Sequence, residues 1–101
     1  MTQYYLGIDI GGTKSHALIA DKQGYVVGFG EWGAGSHEVV GWEGLREALQ
    51  VVSARALASA GIDPTRLGGV GYGIAGHDWP GYRPGHIEAI EALEIPTPYA
   101  L

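Results

Sequence analysis

Two adjacent glycines, Gly11 and Gly12, interrupt an apolar stretch running from Tyr4 to Ala20 and oblige the chain to turn back on itself there. Before them, Leu6, Ile8 and Ile10 alternate with Tyr5, Gly7 and Asp9, the period-two pattern of a strand with one buried face. After them, Ala17 to Ala20 reads as the antiparallel partner, with Gly11-Gly12-Thr13-Lys14 as the hairpin turn. Asp21-Lys22-Gln23-Gly24 places Asp first and Gly fourth in a second turn, and a third strand follows from Tyr25 to Trp32. The first third of the chain is thus a three-stranded antiparallel meander.

Beyond the loop from Gly33 to Gly41 the period changes. Trp42, Leu45, Leu49, Val52, Ala56 and Ala60 recur at three- and four-residue steps, which predicts an amphipathic helix ending at Gly61. Asp63-Pro64-Thr65-Arg66 makes a turn or one helical turn, and Leu67 to Ala75 reads as a fourth strand despite its glycines. Gly76 to Gly81 is a loop. A second helix from Pro84 to Leu93 has Ile87, Ile90 and Leu93 on one face, and Tyr99 to Leu101 reads as a fifth strand just beginning. The order predicts an α/β fold, a meander extended by parallel strands, with helices on the sheet faces.

A chain of 101 residues has room for one domain with one core. Its formal net charge of −5 argues against nucleic acid as a partner, because tracking phosphates needs clustered Lys and Arg. The sequence holds no cysteine, which removes disulfides, thiolate metal sites and iron–sulfur ligation. The polar start and short strand lack the basic head and long apolar run of a signal peptide, so a cytoplasmic location with no membrane partner is expected. Glycine is the outlier, 18 of 101 residues against a usual ~7%. Placed at element ends, these glycines suit tight turns and loops that approach phosphate closely.

The chemistry concentrates in Leu6 to Ser15. A carboxylate at a strand end, a two-glycine turn and a hydroxyl-bearing second strand form a concavity whose backbone N–H groups can point at phosphate oxygens. Asp9 can hold Mg²⁺, directly or through water, since that ion favours one or two carboxylates plus substrate phosphates. Gly11, Gly12, Thr13, Lys14 and Ser15 would then bind the phosphates of ATP. The plainer alternative is a hairpin turn with a surface aspartate.

The same string resembles the first phosphate motif of the actin-like ATPases, whose fold is ribonuclease H-like and whose members include sugar kinases. More narrowly, the chain resembles the BadF/BadG/BcrA/BcrD-type ATPase family, which includes N-acetylglucosamine kinase. Three stretches carry the match: Gly7 to Ser15, Gly35-Ser36 with Gly41-Trp42-Glu43-Gly44, and Gly73-Ile74-Ala75-Gly76-His77-Asp78. The resemblance implies that residues 1–101 are the N-terminal part of the first domain, without the second lobe. It also implies that the catalytic base, an aspartate on the next strand, lies beyond Leu101, so that no catalytic residue is expected within the chain. It implies Mg²⁺–ATP as cofactor and a sugar as acceptor, with Ser36, His37, Gly76 and Asp78 lining the sugar pocket. Asp9 and Asp78 are expected to open onto one cleft. Ser36-His37 stands where the family usually has Ser-Asn, so His37 is either a sugar contact or a solvated loop residue. Asp78 could instead orient the turn before Pro80. Trp79 either stacks on a sugar or packs at the loop base, Trp32 and Trp42 read as core or staple residues, and His16 and His86 as bland.

The resemblance thus implies the N-terminal piece of a sugar or amino-sugar kinase, inactive alone, that forms a homo-oligomer or lacks a C-terminal portion. Alternatives are a piece of the repressor/open-reading-frame/kinase group, a dehydratase-activator ATPase, or a small non-enzymatic interaction module.

Overall fold

The computed structural model describes residues 3–101; Met1 and Thr2, the head of the polar start, lie outside them. Strands β1 (Tyr4–Ile10), β2 (Ser15–Asp21) and β3 (Val26–Trp32) form the expected antiparallel meander. Ile10 pairs with Ser15 across the first turn. The second turn is fixed by Asp21, whose Oδ1 accepts from the amides of Gln23 and Tyr25.

Helix α1 (His37–Ala60) is capped by Ser36 and broken at Gly41, whose φ of 75° and ψ of 174° are not helical. The predicted start at Trp42 therefore marks the main helix, and one extra turn precedes the break. Gly61 ends α1 in the left-handed region with φ 70°, donating to the carbonyls of Leu57 and Ala58. A 3-10 turn, Pro64–Arg66, leads into β4 (Leu67–Ile74), which pairs in parallel with β1. A second, Pro80–Tyr82, leads into α2 (Arg83–Glu91), and β5 (Tyr99–Ala100) pairs in parallel with β4. Leu101, expected as the third residue of β5, falls outside the strand, because the pairing with β4 stops at Gly71 opposite Ala100. Its side chain is half-buried and packs against the core instead. The five strands run in the order β3-β2-β1-β4-β5.

The core forms where α1 lays Leu45, Ala48, Leu49, Val52 and Ala56 against Leu6, Ile8, Ile10, Ala17 and Ile19. Close approach depends on two glycines of β3. A Cβ on Gly28 would lie 2.5 Å from the carbonyl oxygen of Ala56, and one on Gly30 2.4 Å from that of Val52. These glycines are packing devices, a role their positions alone do not reveal.

Ile90 of α2 adjoins Val70 and Tyr72 of β4, which lie in register with Leu6 and Ile8, so both helices cover the same face. The opposite face carries Tyr5, Leu18 and Phe29, 44%, 44% and 45% exposed, flanking the centrally placed Gly7 and Gly71. Among the described residues no helix is long and apolar enough to cross a membrane.

Candidate functional site

Asp9 is exposed because it alternates with buried Ile8 and Ile10, which directs it to the face without helices. Its neighbours in register are His16 of β2 and Gly73 of β4. A hollow of about 270 Å³ on this face is lined by Gly7, Ile8, Asp9, His16, Leu18 and Gly71. The turn after β1 is closed by the Gly11 amide donating to the Lys14 carbonyl at 3.0 Å, and a Cβ on Gly11 would stand 2.6 Å from that oxygen. Gly12, Thr13 and Lys14 are exposed.

Ser15 departs from this arrangement. As the first residue of β2 its side chain faces inward, fully buried, with no hydrogen-bond partner for its Oγ. It sits under Gly35, where a Cβ would come within 2.7 Å of that Oγ. The expected phosphate contact is thus taken from Ser15 by strand alternation.

The loop before α1 is tied to the turn after β1, since the Gly11 carbonyl accepts from the amides of Gly35 and Ser36 at 3.0 and 3.2 Å. Ser36 is buried and its Oγ accepts from the Glu38 amide at 3.3 Å, so the hydroxyl read as a sugar contact serves as a helix cap. His37 stacks on Trp42 at 4.0 Å with the planes 12° apart, and Tyr82 meets it edge-on at 4.2 Å. It is neither a solvated loop residue nor openly presented to a ligand.

His86, read as bland, is fully buried and central to this cluster. Its Nε2 lies 3.3 Å from His37 Nδ1, and its Nδ1 has no partner. Burial, reinforced by His37 and His77, pushes its pKa below the usual histidine value, with Glu38 opposing. The buried side chains of α2 are His86, Ala89 and Ile90, whereas Ile87 is half-buried. The step from His86 to Ile90 was the available signal. Trp42 lies over Gly85, where a Cβ would be 2.5 Å from its Cη2.

Gly76 and Asp78 line a second hollow of about 370 Å³ with Glu38, Trp79 and Tyr82. Gly76 has φ 86°, a conformation that favours glycine. Asp9 and Asp78 therefore open onto different hollows, one on the bare sheet face and one between the first turn of α1 and the β4–α2 loop. The single shared cleft expected from the sequence is not formed by these two carboxylates, because Asp9 follows the alternation of β1 away from the helices. Leu101 lines neither hollow, and its half-buried aliphatic side chain brings no chemistry to either.

A reductive activator for a corrinoid, iron–sulfur protein has a similar structure, with a TM-score of 0.54 and 18% identity over 69% of this chain and 14% of that one. With the strand order β3-β2-β1-β4-β5, this decides the architecture. The fold is ribonuclease H-like. Two further structures match at lower TM-scores of 0.48: a protein of Chromobacterium violaceum assigned as an N-acetylglucosamine kinase, and YeaZ from Pseudomonas aeruginosa. They are 17% and 14% identical, each over 97% of this chain, which spans 34% and 42% of theirs. No protein-family model and no curated protein sequence matches the chain.

The groups near the end of β1 are of the kinds that a magnesium-bound nucleotide phosphate takes. Among the described residues no three His, Cys, Asp or Glu side chains form a metal cage. Mg²⁺ requires none, since it keeps several waters and takes one or two carboxylates with substrate phosphates. Asp9 would supply one carboxylate, and the exposed Gly12-Thr13-Lys14 turn would supply amides, a hydroxyl and an ammonium.

Proposed function

We propose that this chain forms the phosphate-binding part of an ATP-dependent phosphotransferase of the actin-like ATPase superfamily, with a sugar or amino sugar as acceptor. The observation that supports this most is the position of Asp9. It lies exposed near the C-terminal end of the central strand β1, two residues before the tight turn from Gly11 to Lys14 that exposes Gly12, Thr13 and Lys14. On this reading Asp9 holds Mg²⁺, directly or through water, and the turn binds the phosphates with its amides, the Thr13 hydroxyl and the Lys14 ammonium. Bound Mg²⁺ would neutralise charge on the phosphates, and the protein's share of catalysis would be positioning.

Gly76 and Asp78 are read as the acceptor side. The hydrogen bonds from Gly35 and Ser36 to the Gly11 carbonyl join the α1 loop to the phosphate turn. Ser36 and His37 act there by holding the start of α1. No residue among those described is assigned to the adenosine pocket or to the catalytic base.

The test is magnesium-dependent nucleotide binding, measured with and without a panel of sugars while ADP release is followed. Binding without turnover is expected of the 101-residue chain. Sugar-independent ATP hydrolysis would instead favour the activator-type ATPase reading.

A further inference from the structure

We propose that the hollow between the first turn of α1 and the β4–α2 loop binds a small ligand through a positively charged amine. This rests on reading Gly76 and Asp78 as the acceptor side of the site, and it adds the chemical class of the acceptor. The space, about 370 Å³, falls in the ~300–1,000 Å³ range of small-molecule sites. Its lining residues are Glu38, Gly76, Asp78, Trp79 and Tyr82, two carboxylates and two aromatic rings beside a glycine, with no cationic side chain. The ion pairs found among the described residues, His16 with Glu31 and Arg46 with Glu88, use neither Glu38 nor Asp78. An ammonium entering this space meets two carboxylates, whereas an anion meets repulsion from both.

The aromatic residues add a second attraction. Trp79 is 63% exposed, which is costly for an indole that contributes nothing to the core. Its ring centroid lies 6.5 Å from that of Tyr82 with the planes 51° apart, so the two rings form angled walls. Cations within ~6 Å of such faces are attracted to the ring quadrupole. Tyr82 is held in place from behind by His37, edge-on at 4.2 Å. At the floor, a Cβ on Gly76 would stand 2.9 Å from Glu38 Oε1, so the glycine lets that carboxylate lie close over the main chain. Arg83, the cation next to Tyr82 in sequence, is 3.3 Å from His77 Nε2.

The test compares choline with 3,3-dimethyl-1-butanol, which has the same shape without the charge. Binding is followed by calorimetry and by the indole N–H signal of Trp79, with glucose as a neutral polyol. Choline should bind at least about tenfold more tightly than its neutral isostere, a difference of about 1.4 kcal/mol. Glu38→Gln, Asp78→Asn and Trp79→Ala should each weaken choline binding several-fold, and Glu47→Gln, at an exposed position of α1 outside the hollow, should leave it unchanged. Equal binding of choline and the isostere, or binding of glucose without choline, would overturn the amine proposal while leaving the acceptor reading standing. Binding of none of the three would remove both, and the nucleotide reading of Asp9 would still be tested separately by titration with Mg²⁺–ATP.

Discussion

His86 Nε2 lies 3.3 Å from His37 Nδ1, joining the buried face of α2 to the first residue of α1 ring to ring. The pair is enclosed by Trp42 and Tyr82, and His77 packs on His86 with ring centroids 5.7 Å apart.

This enclosure predicts a dependence of stability on acidity. Burial lowers the pKa of His86 in the folded chain, while the unfolded chain keeps a value near ~6.5. Above that value both states are neutral and His86 contributes nothing. As pH falls through ~6.5 the unfolded state takes the proton first, so stability declines until the depressed folded value is reached. Melting temperatures between pH 7.5 and 5 should fall in the wild type and fall less in His86→Phe. Parallel curves for the two proteins would show that the loss comes from other groups.

Gly30→Ala should destabilise strongly, because the new methyl group would sit 2.4 Å from the Val52 carbonyl oxygen and 2.8 Å from Cβ of Arg55. Overpacking of this kind costs about 1–3 kcal/mol, and backbone atoms of α1 have little room to yield. Gly7→Ala is the matched control, since nothing lies within 4 Å of its Cβ position. Urea denaturation should show a large loss for the first and little change for the second.

Ser36→Ala should cost about 1 kcal/mol, the usual value of an N-cap, through loss of the hydrogen bond to the Glu38 amide. Thermal unfolding measures the loss, and nucleotide affinity at a temperature where both proteins are folded should be unaltered. A selective loss of sugar binding without loss of stability would return Ser36 to the role of a ligand contact.

Much of the fold was legible because it is written locally. Alternation in β1 placed Leu6, Ile8 and Ile10 inward and Asp9 outward, and the change of period at Trp42 located the main run of α1. The same alternation, applied to β2, would have turned Ser15 inward; its hydroxyl was credited to the turn because the motif was read as a string. Gly28 and Gly30 were legible only as glycines in a strand, since their purpose depends on α1 arriving from residues distant in sequence. His86 is partly legible, since its step of four to Ile90 lies within α2, but the contact of Gly85 with Trp42 comes from α1 and no pattern within α2 records it. The separation of Asp9 from Asp78 follows from both helices sharing one face, a tertiary choice that element order leaves open.

The central claim is that Asp9 and the turn after it hold a magnesium-bound nucleotide phosphate, and calorimetric titration of Mg²⁺–ATP into wild type and Asp9→Asn tests it most directly. Asp9 is exposed and bears on no core contact, so the variant should fold as the wild type does. The account predicts weak binding that disappears without Mg²⁺ and is weakened about tenfold or more by Asp9→Asn, about 1.4 kcal/mol. Equal affinity in the two proteins, or binding indifferent to Mg²⁺, would contradict it.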